Sequence, residues 1–133
     1  DLGLGRVGRL AAPMTLREFV AHAGAVLPRA PWGIRAAGDP DRLVQTVAVC
    51  GGAGDSAIDA ATAAGVDVYL TGDLRHHVVD EARRAGSPAL VDAGHWATEF
   101  PWCADAAELL AGIGCPATVH QEPTDPFNVV PVQ

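Results

Sequence analysis

The segment DAGHWATE, residues 92–99, carries the side chains of this chain best placed to do chemistry. If a helix begins near His95, then His95 and Glu99 stand at i and i+4 on one face. Their backbones are then about 6 Å apart, and an imidazole and a carboxylate can converge on one cation. That donor pair suits zinc, manganese, iron or nickel. The same spacing also serves a plain hydrogen bond between a helical His and Glu. A metal site takes roughly three or four protein ligands, and this chain offers His95 and Glu99 alone at good spacing. The pair is therefore either no metal site or an incomplete one.

Two further segments place polar residues at a strand end. In TGDLRHH, residues 71–77, Asp73 can cap the helix that follows. The adjacent His76 and His77 point about 100° apart on a helix, so only one of them can face a given cavity, as a ligand or as a solvated side chain. In CGGAGDS, residues 50–56, two readings stay open. Either the glycines make a tight turn and Asp55 or Ser56 caps the next helix, or the backbone comes close to a ligand or metal site. The absence of a GK[ST] ending excludes a nucleotide P-loop. GLGRVG, residues 3–8, matches GxGxxG, yet Pro13 separates it from the helix after it, so it cannot work as a dinucleotide-binding turn.

The elements that must position these residues follow from pattern. Residues 1–12 are Gly-rich and read as an extended arm, with the globular part spanning 13–133. Thr15 and Glu18 form a capping box ahead of the amphipathic helix LREFVAHAGAVL, which Pro28 ends. A short apolar run, a glycine turn and an Ala-rich helix then recur three times: VQTVAVCGGAGD into SAIDAATAAG, VDVYLTGD into LRHHVVDEARRAG, and PALVDAG into HWATEFPWCADAAELLAGI. This alternation predicts an α/β fold, a largely parallel sheet with helices on both faces. A last strand is expected around ATVHQEP, residues 117–123. The carboxyl ends of three strands then fall at Cys50–Asp55, Thr71–Asp73 and Asp92–His95, the edge where open α/β sheets bind ligands.

Composition narrows the function classes. The 133 residues suit one domain. No apolar run reaches the roughly 18 residues of a membrane span. A net charge of −7, with nine Arg, no Lys and no basic run, argues against sequence-independent nucleic-acid binding. Cys50, Cys103 and Cys115 are odd in number and lack CxxC spacing, which fits a reducing, cytoplasmic setting and neither a disulfide framework nor a zinc ribbon.

Taken in order, GLGRVGRL, TLREFVAHAGAVL, VAVCGGAGDSAIDAA, GVDVYLTGDLRHH, LVDAGHWATE and TDPF resemble the C-terminal half of the Nif-three-like family. Its members are also called dinuclear-metal-centre hexameric proteins or GTP cyclohydrolase 1 type 2 homologs. The resemblance implies two related α/β halves facing each other across a cleft that holds two divalent metal ions, in a homohexameric ring. It implies that His95 and Glu99 are metal ligands, and that His77 and Asp73 lie near the same cavity as candidates for moving protons. The remaining ligands, an adjacent His pair and an Asp, belong to an N-terminal half outside this sequence, and His76 and His77 are not that pair. On this resemblance the chain is expected to be a fragment with a partial metal site, inactive alone, whose partners are that half and other copies of itself. The parent is expected to be a metal-dependent hydrolase acting on a nucleotide-like substrate, or else a non-catalytic metal-handling or regulatory scaffold.

Overall fold

The computed structural model describes residues 3–129. Strand β1 (Arg6–Thr15) leads into helix α1 (Leu16–Val26), followed by β2 (Arg35–Ala37) and β3 (Leu43–Ala53). A short 3₁₀ turn then opens α2 (Ile58–Ala63), and β4 (Val68–Gly72), α3 (His76–Arg84) and β5 (Ala89–Asp92) alternate after it. Two helices, α4 (His95–Glu99) and α5 (Trp102–Gly112), follow. The strands form one sheet in the order β1-β3-β4-β5-β2.

The repeated strand–helix pattern becomes the parallel centre β3-β4-β5, with Val47 opposite Val68 and Val68 opposite Ala89. Alternation in these strands feeds two cores. Val68, Leu70, Ala89 and Val91 face α1 and its buried Leu16, Phe19 and Ala23. Tyr69 and Leu90 point the other way, into a cluster with Ile58 and Ala61 of α2 and with Val78 and Val79 of α3. The sheet is thus covered on both faces. The capping box is formed: the Glu18 amide donates to Thr15 Oγ1 at 3.2 Å and the Thr15 amide donates to Glu18 Oε2 at 2.7 Å. Those Thr15 hydrogen bonds, the amide first and the hydroxyl second, hold the Glu18 carboxyl below its ordinary pKa.

Both edges are antiparallel, and both depart from the sequence pattern. The segment read as a free extended arm is extended from Arg6 onward but belongs to the sheet, pairing with β3 from Arg6↔Val49 to Thr15↔Leu43. A register shift between Arg9 and Met14 absorbs Pro13, which lacks an amide proton and is tolerated at a sheet edge for that reason. The other edge, β2, pairs with β5 and is only three residues long, too short to show an alternation. The strand expected at 117–123 does not form. The place beside β5 is already filled by β2, and that stretch runs as exposed irregular chain between prolines. Among the described residues no helix is long and apolar enough to cross a membrane.

Candidate metal centre

The carboxyl ends of β3, β4 and β5 bring three loops together, and each uses an unusual backbone conformation to do so. After β5 the chain turns at Gly94, with φ 89°, and enters α4 at His95. After β4, Asp73 sits at φ 56°, a left-handed conformation that Asp tolerates better than most side chains. Within the glycine loop of β3, Gly52 has φ 72°.

These turns deliver three side chains to one place. His95 Nδ1 lies 2.7 Å from Asp73 Oδ2, and His95 Nε2 lies 3.3 Å from Glu99 Oε2. Both carboxylates accept only, and the Asp73 contact is the shorter, so in the neutral ring it draws the proton to Nδ1 and leaves the lone pair on Nε2. The hydrogen bond from Asp73 raises the His95 pKa above its ordinary value. Partial burial opposes that rise and the neighbouring Glu99 and Asp73 charges add to it. Both His95 and Glu99 are about half exposed, so this face is open to solvent.

The glycines beneath the pair have a steric reason. A Cβ built on Gly52 would overlap the Glu99 carboxylate and come within 3.4 Å of His95 Nε2. One on Gly51 would lie 2.8 Å from the Thr98 carbonyl oxygen. The Gly52 amide donates to Thr98 Oγ1 at 2.9 Å, Thr71 Oγ1 donates to the Gly52 carbonyl at 3.0 Å, and the Tyr69 hydroxyl donates to the Gly54 carbonyl at 2.9 Å. Burial pushes the Tyr69 pKa up and keeps it a donor. The glycine loop of CGGAGDS thus lies close against the Glu99 carboxylate and the His95 ring. Neither Asp55 nor Ser56 caps a helix: Gly54 precedes the 3₁₀ turn and Ala57 precedes α2, neither with a side-chain cap bond, and Asp55 pairs with Arg75. Asp73 does not cap α3 either, since Arg75 stands at the cap and Asp73 is engaged by His95.

His76 and His77 are the first two residues of α3, both exposed. His76 lines a groove of about 490 Å³ between α3 and β2, together with Arg35, Leu74, Val79 and Asp92. Among the described residues, neither histidine pairs with His95, Glu99 or Asp73. Nor do three or more His, Cys, Asp or Glu side chains there converge to hold a metal ion. The donors that converge are His95 Nε2 and the Glu99 carboxylate, with Asp73 behind the ring. Their chemistry suits a divalent cation: a neutral imidazole oriented by a carboxylate beside an anionic oxygen donor.

Pattern reading overlooked three residues here. Thr98 ties the glycine loop to α4, and Asp92 and Arg35 brace the loops from beneath. Thr98 lies inside the His–Glu spacing and looks like filler. Arg35 is joined to Asp92 only through the three-residue β2, which no sequence signal announces.

The sequence model of Duf34/NIF3 (NGG1p interacting factor 3) matches residues 1–125. The chain belongs to the Duf34/NIF3 family. Among its relatives, a GTP cyclohydrolase 1 type 2 homolog from Mycobacterium tuberculosis is 55% identical over 130 residues, covering 96% of this chain and 34% of that protein. One from Streptomyces coelicolor is 53% identical over 132 residues, covering 95% of this chain and 46% of that protein. The chain thus spans between a third and a half of the length of these relatives. The fold agrees with solved NIF3-like structures. Staphylococcus aureus protein SA1388 superposes with a TM-score of 0.83 at 27% identity, over 96% of this chain and 42% of that one. A Bacillus cereus protein related to NIF3 gives 0.77 at 33% identity, over 96% and 36%.

Proposed function

We propose that this Duf34/NIF3 chain supplies one side of a divalent-metal centre, with His95 Nε2 and the Glu99 carboxylate as ligands. The observation that carries the proposal is the His95 ring, whose Nδ1 is held by Asp73 so that Nε2 and Glu99 share an open face over Gly52. Two such donors fall short of the roughly three or four a protein metal site uses, so the remaining ligands come from elsewhere in the longer protein or from another copy. The reading extends to two ions of zinc, iron, manganese or nickel and to a homohexameric ring of cytoplasmic protein. It gives α5 a role in contact between parts of that assembly. This helix buries none of its residues, and Trp102, Leu109 and the adjoining Ile113 face outward, 60%, 63% and 79% exposed.

The name of the relatives, GTP cyclohydrolase 1 type 2 homolog, favours a hydrolase acting on a nucleotide-like substrate. When bound, the metal supplies Lewis acidity that polarises a substrate oxygen and eases ionisation of water. The chain's own part is to orient the His95 ring through Asp73 so that Nε2 faces outward, to set the Glu99 carboxylate beside it, and to fix both by the Thr98–Gly52 clasp. Asp73 then works through His95, and His77 remains a candidate for proton movement on the exposed start of α3. A polypeptide of the relatives' full length, supplied with metal and GTP, is expected to turn the nucleotide over and to lose turnover in His95→Ala while keeping its fold. Metal bound without turnover of any nucleotide would replace the hydrolase with a metal-handling or scaffold protein.

A further inference from the structure

Asp92 is buried at 5% exposure at the end of β5, yet it faces neither solvent nor the candidate ligands. Its two carboxylate oxygens serve different loops. Oδ1 accepts from the Gly94 amide at 3.1 Å, at the turn that launches α4 and therefore His95. Oδ2 accepts from the Leu74 amide at 3.2 Å, in the loop that carries Asp73. Oδ2 also accepts from Arg35 Nε at 3.1 Å and Nη2 at 2.7 Å, and the same Nη2 donates to the Leu74 carbonyl at 2.8 Å. Leu74 is thus gripped at both its amide and its carbonyl, one residue past an Asp73 held at φ 56°.

We infer that Asp92, braced by Arg35, is a positioning residue that sets the distance between Asp73 and His95, and through it the presentation of His95 Nε2. The inference rests on the metal reading for its consequence, though not for its geometry. The physical case lies in the burial. A carboxylate removed from water persists only when its lone pairs are met by donors, and here three of the four donors belong to the two loops or bridge them. Removing it would leave the Leu74 and Gly94 amides unpaired and free both loops at once. Arg35 explains why an edge strand of three residues exists at all: β2 places Arg35 opposite Asp92 in register, with its guanidinium across the mouth of the groove beside α3.

Two variants separate this role from general support of the fold. In Asp92→Asn the side chain keeps its shape but must turn an NH₂ group toward one set of donors. In Arg35→Gln Asp92 Oδ2 loses both guanidinium donors and the Leu74 carbonyl loses its clamp, while the Leu74 and Gly94 amides keep their bonds to Asp92 and the replaced side chain is 68% exposed, so this variant is expected to fold even if the first does not. The direct readout is the His95 ring tautomer by ¹⁵N NMR on the metal-free chain, above the raised imidazole pKa. It does not depend on whether metal binds, so failure of the metal reading is seen separately as absence of cobalt(II) binding by a polypeptide of the relatives' full length. The expected result is a shift of the ring away from the Nδ1–H form in both folded variants, with cobalt(II) affinity of the full-length polypeptide falling about tenfold or more. An unchanged tautomer in a folded Arg35→Gln or Asp92→Asn protein overturns the inference.

Discussion

At the scale of single residues, the centre turns on how one imidazole is held. In the proposed centre proton and cation compete for His95 Nε2, and Asp73 raises the ring's pKa. Zinc affinity should therefore climb as pH rises through that raised value, above the ~6.5 of a free imidazole. Replacing Asp73 with Asn should move the climb to lower pH, and titrations of metal affinity against pH decide it. The sign for stability is opposite. In the metal-free chain the charged ring's contacts with Asp73 and Glu99 stabilise fully below the unfolded imidazole's pKa, and that contribution is lost as pH rises through the folded one. Gly52 sets a second limit. Gly52→Ala puts a methyl group into the Glu99 carboxylate and forces an alanine to φ 72°, so a stability loss of roughly 1–3 kcal/mol is expected by denaturant unfolding, together with weaker metal binding. A variant as stable as the parent would show that the loop has room to relax. The His95–Glu99 pair was legible from spacing alone, because i and i+4 is a local relation. Its partner Asp73 was legible only as a polar residue at a strand end, since its engagement with His95 joins positions 22 apart through the sheet.

At the scale of elements, what could be read from the sequence was whatever repeats. Strand, glycine turn and helix recur three times, and all three units form, except that the single helix read from His95 to Ile113 is broken at Phe100 and Pro101 into α4 and α5. The edges were not legible in the same way. β1 carries glycines and a proline that suggest a loose arm, and it becomes a strand because β3 presents a free ladder with which it can pair. β2 has too few residues to show a period. The junction of β3 and β4 is fixed by Asp67, whose Oδ2 accepts from the Gln45 and Thr46 amides and from Thr46 Oγ1 at 2.7–3.0 Å. Thr46, through its amide and then its hydroxyl, holds the Asp67 carboxyl below its usual pKa. The stabilisation is present above the unfolded carboxyl's pKa and is lost as pH falls through the lower folded value. Asp67→Asn should cost about 1.5–3 kcal/mol near neutral pH and flatten the acid limb of the stability profile. An acid limb that keeps its slope in this variant would assign acid lability to other carboxylates.

At the scale of the whole molecule, the proposal makes the chain half of a site. Its sheet packs two cores, while its candidate ligands are two donors on an open face and α5 buries none of its residues. Relatives two to three times as long supply a place for the rest, consistent with their coverage by this chain of 34% to 46%. Sequence reading could not place in space the further ligands that the proposal requires, because no spacing within 133 residues encodes them. The most direct test is elemental analysis of metal content in this chain, in a polypeptide of the relatives' full length, and in the His95→Ala form of each. The account predicts close to two metal ions per long chain, and far fewer in its His95→Ala form and in the present chain. Metal content in the long protein that does not change when His95 is removed would contradict it, and would reduce His95 and Glu99 to a helical pair held by Asp73.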